Sequence, residues 1–283
     1  MQGRGRLGGH VVVAVLAAAM AVVAVMVVAT EGGARGSERR DVRVMSYNIH
    51  HGEGADGRLD LDRIAGVIRS EKAEVVGLQE VDRFWRRSDF VDQVDYLAEE
   101  LDMYAAYGAN LDLPPDDPSQ PRRRYGTAIL SKYPIIESGN TFLPRLGTSE
   151  QRGLLEALIK VKGAPVRFYN THLQHNSSEE RALQVRAIME HTKDVEGPQI
   201  LVGDLNALPG APELAPLYGR YDDAWTLGGE GPGYTIGAEN PNRRIDYVFV
   251  TPDVAVRSAS VPRTLASDHL PVVAELSVPR KAR

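Results

Sequence analysis

Eight side chains in this 283-residue sequence are of the types that handle metal and phosphate: Asn48, Glu80, His172, Asp204, Asn206, Asp246, Asp268 and His269. Each stands at or near the end of an apolar run, where a strand hands a polar group to the rim of a sheet. The clearest case is Ile200-Leu201-Val202-Gly203-Asp204-Leu205-Asn206. Taken singly, each residue has a plain explanation. Asp and Asn after a strand also form turns, and a buried His or Asp is often just a satisfied core residue. Taken together they supply oxygen ligands for a hard divalent cation, donors for non-bridging phosphate oxygens and a group to activate water. The chain has no cysteine, so thiolate catalysis, disulfides and thiolate zinc sites are excluded. Any metal must use oxygen or imidazole ligands.

The elements that would position these residues can be read from patterning. Val42–Asn48 and Val75–Glu80 read as strands covered on both faces, with Leu61, Ile64, Ala65 and Ile68 forming a helix face between them behind an Asp60 cap. Gly52-Glu53-Gly54-Ala55-Asp56-Gly57 fits a dinucleotide-binding fingerprint, but Arg58-Leu59-Asp60 separates the glycines from the helix they would have to open. It is therefore read as a loop. A second helix is expected over Val91–Leu101, a surface loop over Leu113–Pro121, and a strand over Thr127–Leu130. Leu154–Val161 and Val166–His172 pair across Lys162-Gly163-Ala164-Pro165. Ser177 with Glu180 reads as a capping box opening a helix to about His191. The strands over Gln199–Leu205, Arg244–Val250 and Ser267–Leu276 complete the pattern.

Hydrophobic residues at 43% and charged residues at 25% place the chain among ordinary globular proteins. A formal charge of -5 argues against nucleic-acid binding through a bulk positive field. Arg4 and Arg6 precede an unbroken apolar run, Val11–Ala29, which reads as an export signal cleaved after Ala29 or as a membrane anchor. Either form places the remainder outside the cytoplasm, secreted or tethered through residues 11–29. The expected organisation is residues 1–40 as signal or anchor plus spacer, 41–278 as one monomeric catalytic domain, and 279–283 as a tail.

Seven short stretches carry a family resemblance: Ser46-Tyr47-Asn48, Leu78-Gln79-Glu80-Val81-Asp82, Tyr125-Gly126-Thr127-Ala128-Ile129-Leu130-Ser131, Asn170-Thr171-His172-Leu173, Gly203-Asp204-Leu205-Asn206, Arg244-Ile245-Asp246-Tyr247 and Ser267-Asp268-His269-Leu270-Pro271. In this order they resemble the endonuclease/exonuclease/phosphatase superfamily of DNase I-like metallohydrolases. The resemblance implies a four-layer α/β sandwich, with two facing mixed β-sheets flanked by helices. It implies Mg²⁺ or Mn²⁺ at Glu80, with Asn48 and Asp268 close to the cation or the phosphate. Asp204 would orient or deprotonate the attacking water, and Asn206 would contact phosphate and water. His172 and His269 would donate to phosphate oxygens, with Asp246 fixing the His269 ring. Tyr125 and Arg152 would lie near the phosphate. One metal or two is left open.

Arg122, Arg123 and Arg124 abut the Tyr125 motif, and Arg243 and Arg244 lie beside Asp246, so a basic rim for an anionic phosphate ester is expected. His50 and His51 either line the mouth of the site or are idle loop residues. Nucleic acid, a phospholipid head group and a small phosphorylated metabolite are all open as substrate. With aromatic content of only 6%, a nucleic-acid tracking groove is not favoured, although a nuclease acting on extracellular DNA or RNA remains the alternative. A non-catalytic extracellular binding module on the same scaffold is the reading from another class. Retention of Glu80, Asp204 and His269 speaks against it.

Overall fold

Alternation along the central strands sends successive side chains to opposite faces of a sheet, and both faces here find an apolar partner. The computed structural model describes residues 38–280. The apolar run 11–29 and most of the spacer expected before the domain lie outside the described residues. Among the described residues no helix is long and apolar enough to cross a membrane.

In chain order the elements are β1 (Arg39–Asn48), α1 (Leu61–Ser70), β2 (Val75–Arg83), α2 (Gln93–Leu101), β3 (Tyr104–Leu113), β4 (Arg123–Ser131), β5 (Ile135–Phe142), β6 (Gly153–Val161), β7 (Ala164–His172), α3 (Ser178–Thr192), β8 (Gln199–Asp204), α4 (Ala215–Tyr218), β9 (Asp222–Asp223), α5 (Ala224–Gly228), β10 (Asp246–Val250), β11 (Ala255–Ser260) and β12 (Val272–Pro279). They form two six-stranded sheets, ordered β11-β12-β1-β2-β4-β3 and β5-β6-β7-β8-β10-β9. Each sheet is mixed, because β1 runs parallel to β2 and β7 parallel to β8 while their other ladders are antiparallel.

Three apolar clusters define the layers. Val42, Val44 and Ile129 of the first sheet meet Phe168, Ile200, Val202, Val248 and Val250 of the second in the central core. On the outer face of the first sheet, Met45, Tyr47 and Leu78 pack with Ile64 and Ile68 of α1 and Leu97 of α2. On the outer face of the second, Leu201, Tyr247 and Phe249 pack with Val185 and Ile188 of α3 and Leu217 of α4. The result is the α/β/β/α sandwich expected from the sequence. Local signals hold as well: Asp60 accepts from the Arg63 amide to cap α1, and Ser177 accepts from the Glu180 amide at 3.1 Å to cap α3. The Glu180 carboxylate does not close the box. It turns inward to Ser149 at 2.8 Å.

The sequence reading does not anticipate β3, β5, β9 or β11, and these are the four sheet edges. Edge strands are half solvated, so they need no apolar run; β11 reads Ala-Val-Arg-Ser-Ala-Ser and exposes most of its side chains.

Where the sheets meet near the site, the contact is polar. The β2–β4 register shifts between Leu78 and Val81. Beside this bulge Asn170 of β7 donates from Nδ2 to Leu78 O and Ala128 O, both at 2.8 Å, and accepts from Gln79 Nε2 at 2.7 Å. The sheets approach closely here because Gly77 has no side chain: a Cβ would come within 2.3 Å of Val202 Cγ2. Replacing Asn170 by Ala removes three buried hydrogen bonds and is expected to cost about 2–4 kcal/mol of unfolding free energy. Urea denaturation tests this, and a loss below about 0.5 kcal/mol would show that the two sheets do not depend on the link.

Candidate active site

Strand register assembles one row of the site. His172 is the Cα partner of Asp204 across the β7–β8 ladder, and Asp204 is the partner of Asp246 across β8–β10. All three side chains are buried at the same end of the second sheet. His269, just before β12, adds its ring to the row, with Nδ1 at 2.9 Å from Asp246 Oδ2 and Nε2 at 3.7 Å from Asp204 Oδ2. His172 Nε2 lies 3.4 Å from the same Asp204 oxygen. Asp204 is thus flanked by two imidazoles.

The first sheet contributes Asn48 at the end of β1 and Glu80 at the β2 bulge. Asn48 is fully buried and its Nδ2 donates to Glu80 Oε1 at 3.0 Å and to Asp204 Oδ2 at 3.1 Å, joining the two sheets at the site. Its amide orientation is set by Oδ1, which accepts from the His50 amide at 3.1 Å. Glu80 sits in the left-handed region at φ 57, and that turn of the backbone takes it out of the strand alternation. Asn206, also left-handed at φ 49, gives its amide N–H to Asp204 Oδ1 at 2.9 Å. Its Nδ2 donates to Leu173 O and faces His172 Nε2, both at 3.0 Å, which makes that imidazole nitrogen the acceptor.

Electrostatics follow from burial. Asp204 is pushed up to about 7, first by desolvation and then by the charge of Asp246, against the opposing pull of His269 and the hydrogen bonds from Asn206 and Asn48. His269 moves up to about 10: burial opposes its charge, but the charge and hydrogen bond of Asp246, then Asp204 and Asp268, outweigh it. His172 goes the other way, well below the usual imidazole value, because it is desolvated and feels the positive Arg152. One imidazole is therefore held as the cation and the other as the neutral base.

The remaining expected residues surround this row. Asp268 is partly exposed, with Oδ1 3.9 Å from His50 Nδ1, and borders a cavity of about 280 Å³ lined also by Ala55, Gly237, Ala238, Glu239 and Asn240. Tyr125 is buried under Arg87, whose guanidinium carbon is 5.3 Å from the ring centre; Arg87 is held by both oxygens of Asp82 at 2.8 Å. Arg152 is buried against Glu150 at 2.9 Å.

Of the basic rim expected from Arg122–Arg124, Arg243 and Arg244, all but the exposed Arg243 are paired with carboxylates. Asp112 is the register partner of Arg124 in the β3–β4 hairpin, and it pairs with Arg122 at 2.6 Å and Arg124 at 3.3 Å. Arg123 pairs with Asp116 at 2.7 Å. Arg244 is buried on Asp223 at 2.8 Å and stacks over Tyr247. The sequence placed these arginines near the motifs but did not show the carboxylates that the edge hairpin and β9 bring to them. Two residues that the sequence left undecided do reach the site: His50 and His51 lie beside Glu80. The only advance signal was a doubled imidazole directly after a strand end.

A sequence model of the Endonuclease/Exonuclease/phosphatase family matches residues 45–269. A solved endonuclease/exonuclease/phosphatase from Beutenbergia cavernae DSM 12333 is similar at 33% identity and TM-score 0.72, over 84% of this chain and 72% of that one. The mannosyl-6-phosphatase Bt3783 of Bacteroides thetaiotaomicron VPI-5482 shares the fold at 22% identity and TM-score 0.66, over 83% and 98% of the two chains. Protein cwh43 of Schizosaccharomyces pombe is 28% identical over 158 residues, which are 56% of this chain and only 15% of that protein.

Two outcomes are expected. Because folded His269 keeps its proton to higher pH than an unfolded imidazole, at about 6.5, its contribution to stability is complete below that value and is lost as pH rises toward about 10. Asp246→Asn should lower the His269 titration midpoint in an NMR titration and flatten the fall of Tm across this window. An unchanged midpoint would contradict the assigned cause. Joint replacement of Arg122, Arg123 and Arg124 by Ala should leave KM for an anionic ester within about twofold, since exposed ion pairs of this kind contribute little; a large, salt-dependent rise in KM would restore the basic rim.

Proposed function

The chain belongs to the Endonuclease/Exonuclease/phosphatase family, whose members are hydrolases acting on phosphoester bonds, and from that premise we propose that it is an exported, divalent-metal-dependent phosphoesterase. The observation that carries the reading is the buried Asp204 held between His172 and His269 and tied to Glu80 through Asn48. Export is supported by the apolar run 11–29 behind Arg4 and Arg6.

The donor set fits a hard cation. Glu80 and Asp268 are acids at the accessible side of the site, and hard divalent ions take carboxylate and carboxamide oxygens while retaining water. Glu80 and Asp268 would hold Mg²⁺ or Mn²⁺, which would supply charge to the phosphate and to the leaving oxygen; Asn48 turns its N–H groups to Glu80 and Asp204 and would ligate the ion only with its carboxamide reversed.

The chain's own residues would do the rest. Asp204, raised toward neutrality, is suited to accept a proton from the attacking water while the Asn206 amide fixes its orientation. His269, held as a cation by Asp246, would donate from Nε2 to a phosphate oxygen as negative charge builds. His172, held neutral, anchors the Asn206 carboxamide by accepting at Nε2. Tyr125 and Arg152 would form the wall behind the phosphate. The substrate is an anionic phosphate ester, a diester or a monoester. The phosphatase among the fold's solved relatives keeps the monoester in view, while the neutralised arginine rim speaks against a long polyanion.

Hydrolysis of a simple phosphodiester or monoester is expected to require added Mg²⁺ or Mn²⁺ and to stop in excess EDTA. Asp204→Ala and His269→Ala should each lower kcat by about a hundredfold or more, with Tm measured alongside to separate catalysis from folding. Full turnover in EDTA, or near-normal kcat in both folded variants, would refute the reading.

A further inference from the structure

Beside the carboxylate and imidazole row lie two imidazoles, His50 and His51, to which the proposed reaction gives no task. His50, His51 and Glu80 each offer one ligand atom, and these atoms lie within 4.8 Å of one another. The two histidines follow β1 after Ile49, with their rings edge to face at 4.5 Å between centres. His50, His51 and Glu80 all occupy the left-handed backbone region, at φ 44, 45 and 57. Residues with side chains seldom adopt it, and three together mark a place where the surrounding structure imposes the conformation.

The polar accounting is also incomplete there. Nδ1 of His50 and Nδ1 of His51 are both shut off from solvent and make no hydrogen bond. Buried polar atoms are nearly always paired, so two bare imidazole nitrogens next to a carboxylate indicate a missing partner. Further acids stand close: Glu53 Oε2 is 3.7 Å from His51 Nε2, and Asp268 Oδ1 is 3.9 Å from His50 Nδ1. The guanidinium of Arg87, which acts on His51, is already held by both Asp82 oxygens. The missing partner is thus positively charged and accepts nitrogen ligands.

We propose that His50, His51 and Glu80 form a second cation site, selective for a borderline divalent metal of the Co²⁺ or Zn²⁺ class and sharing Glu80 with the hard-metal site. It rests on the phosphoesterase reading for that shared ligand. Imidazole favours these ions over Mg²⁺, which prefers oxygen ligands and retains its waters. Two histidines and one carboxylate leave coordination positions open, so the ion would present a free face toward a phosphate oxygen at the same rim.

The test uses the full chain, stripped with chelator and held in saturating Mg²⁺, while Co²⁺ is titrated and its visible absorption bands are followed. The wild type is expected to bind one Co²⁺ that excess Mg²⁺ does not displace. His50→Gln/His51→Gln should weaken that binding about tenfold or more, whereas His269→Gln, in the neighbouring Asp204–Asp246 cluster, should retain it. Should the double variant fail to fold, pulsed EPR of the Cu²⁺-loaded wild type gives an independent reading: couplings from imidazole nitrogen are expected, and their absence overturns the proposal. Unchanged Co²⁺ affinity in a folded double variant, or loss only in His269→Gln, also overturns it. Mg²⁺-dependent ester hydrolysis by the same wild-type preparation separates the two readings. Turnover without a Co²⁺ site sinks this inference alone, and a Co²⁺ site without turnover sinks the hydrolase reading alone.

Discussion

The site depends on one buried carboxamide. Asn48 touches an acid from each sheet, and its two N–H groups link Glu80 to Asp204 at 3.0 and 3.1 Å. Buried carboxylates facing one another would repel, and each would be costly without donors. A carboxamide between them supplies two donors without adding charge. Its orientation is fixed by the His50 amide on Oδ1, and its backbone carbonyl accepts from Ser267 Oγ at 2.8 Å, next to Asp268 and His269. One residue therefore sets the relation of β1, β2, β8 and the loop before β12.

Behind it, the bulge in β2 shows how a sheet can serve two ends. In an unbroken ladder, Glu80 would follow the strand alternation. The register shift and the positive φ redirect it to the rim, and Asn170 and Gln79 bind the polar groups around the bulge. A left-handed non-glycine residue carries a strain of about 1–3 kcal/mol. Here the strain lies next to paired hydrogen bonds and close sheet packing at Gly77, so the central core holds the conformation in place.

The electrostatic design is local. Arg122, Arg123, Arg124, Arg244 and Arg87 are held by Asp112, Asp116, Asp223 and Asp82, so positive charge at the row comes chiefly from His269, while Arg152, itself paired with Glu150, is felt at His172. Burial disfavours the charged form of both imidazoles beside Asp204, yet they differ in protonation state. The difference arises from their second partners: a carboxylate for His269, a carboxamide for His172.

By itself the sequence determined the interior strands, the caps at Asp60 and Ser177, and the polar residues at strand ends, because burial on both faces demands continuous apolar runs and a run must stop where a polar group reaches the rim. The seven ordered motifs then pointed to the sandwich and its family. What only the tertiary structure decided depends on partners distant in the chain. The four edge strands form by completing ladders rather than by burying apolar runs, so composition does not announce them. The pairing of Arg122 and Arg124 with Asp112 required the β3–β4 register, and the sharing of Asp204 between two imidazoles required β7, β8, β10 and the chain before β12 to converge. His50 and His51 were ambiguous in the sequence because a loop histidine and a ligand look alike until the backbone turn and the nearby Glu80 are known.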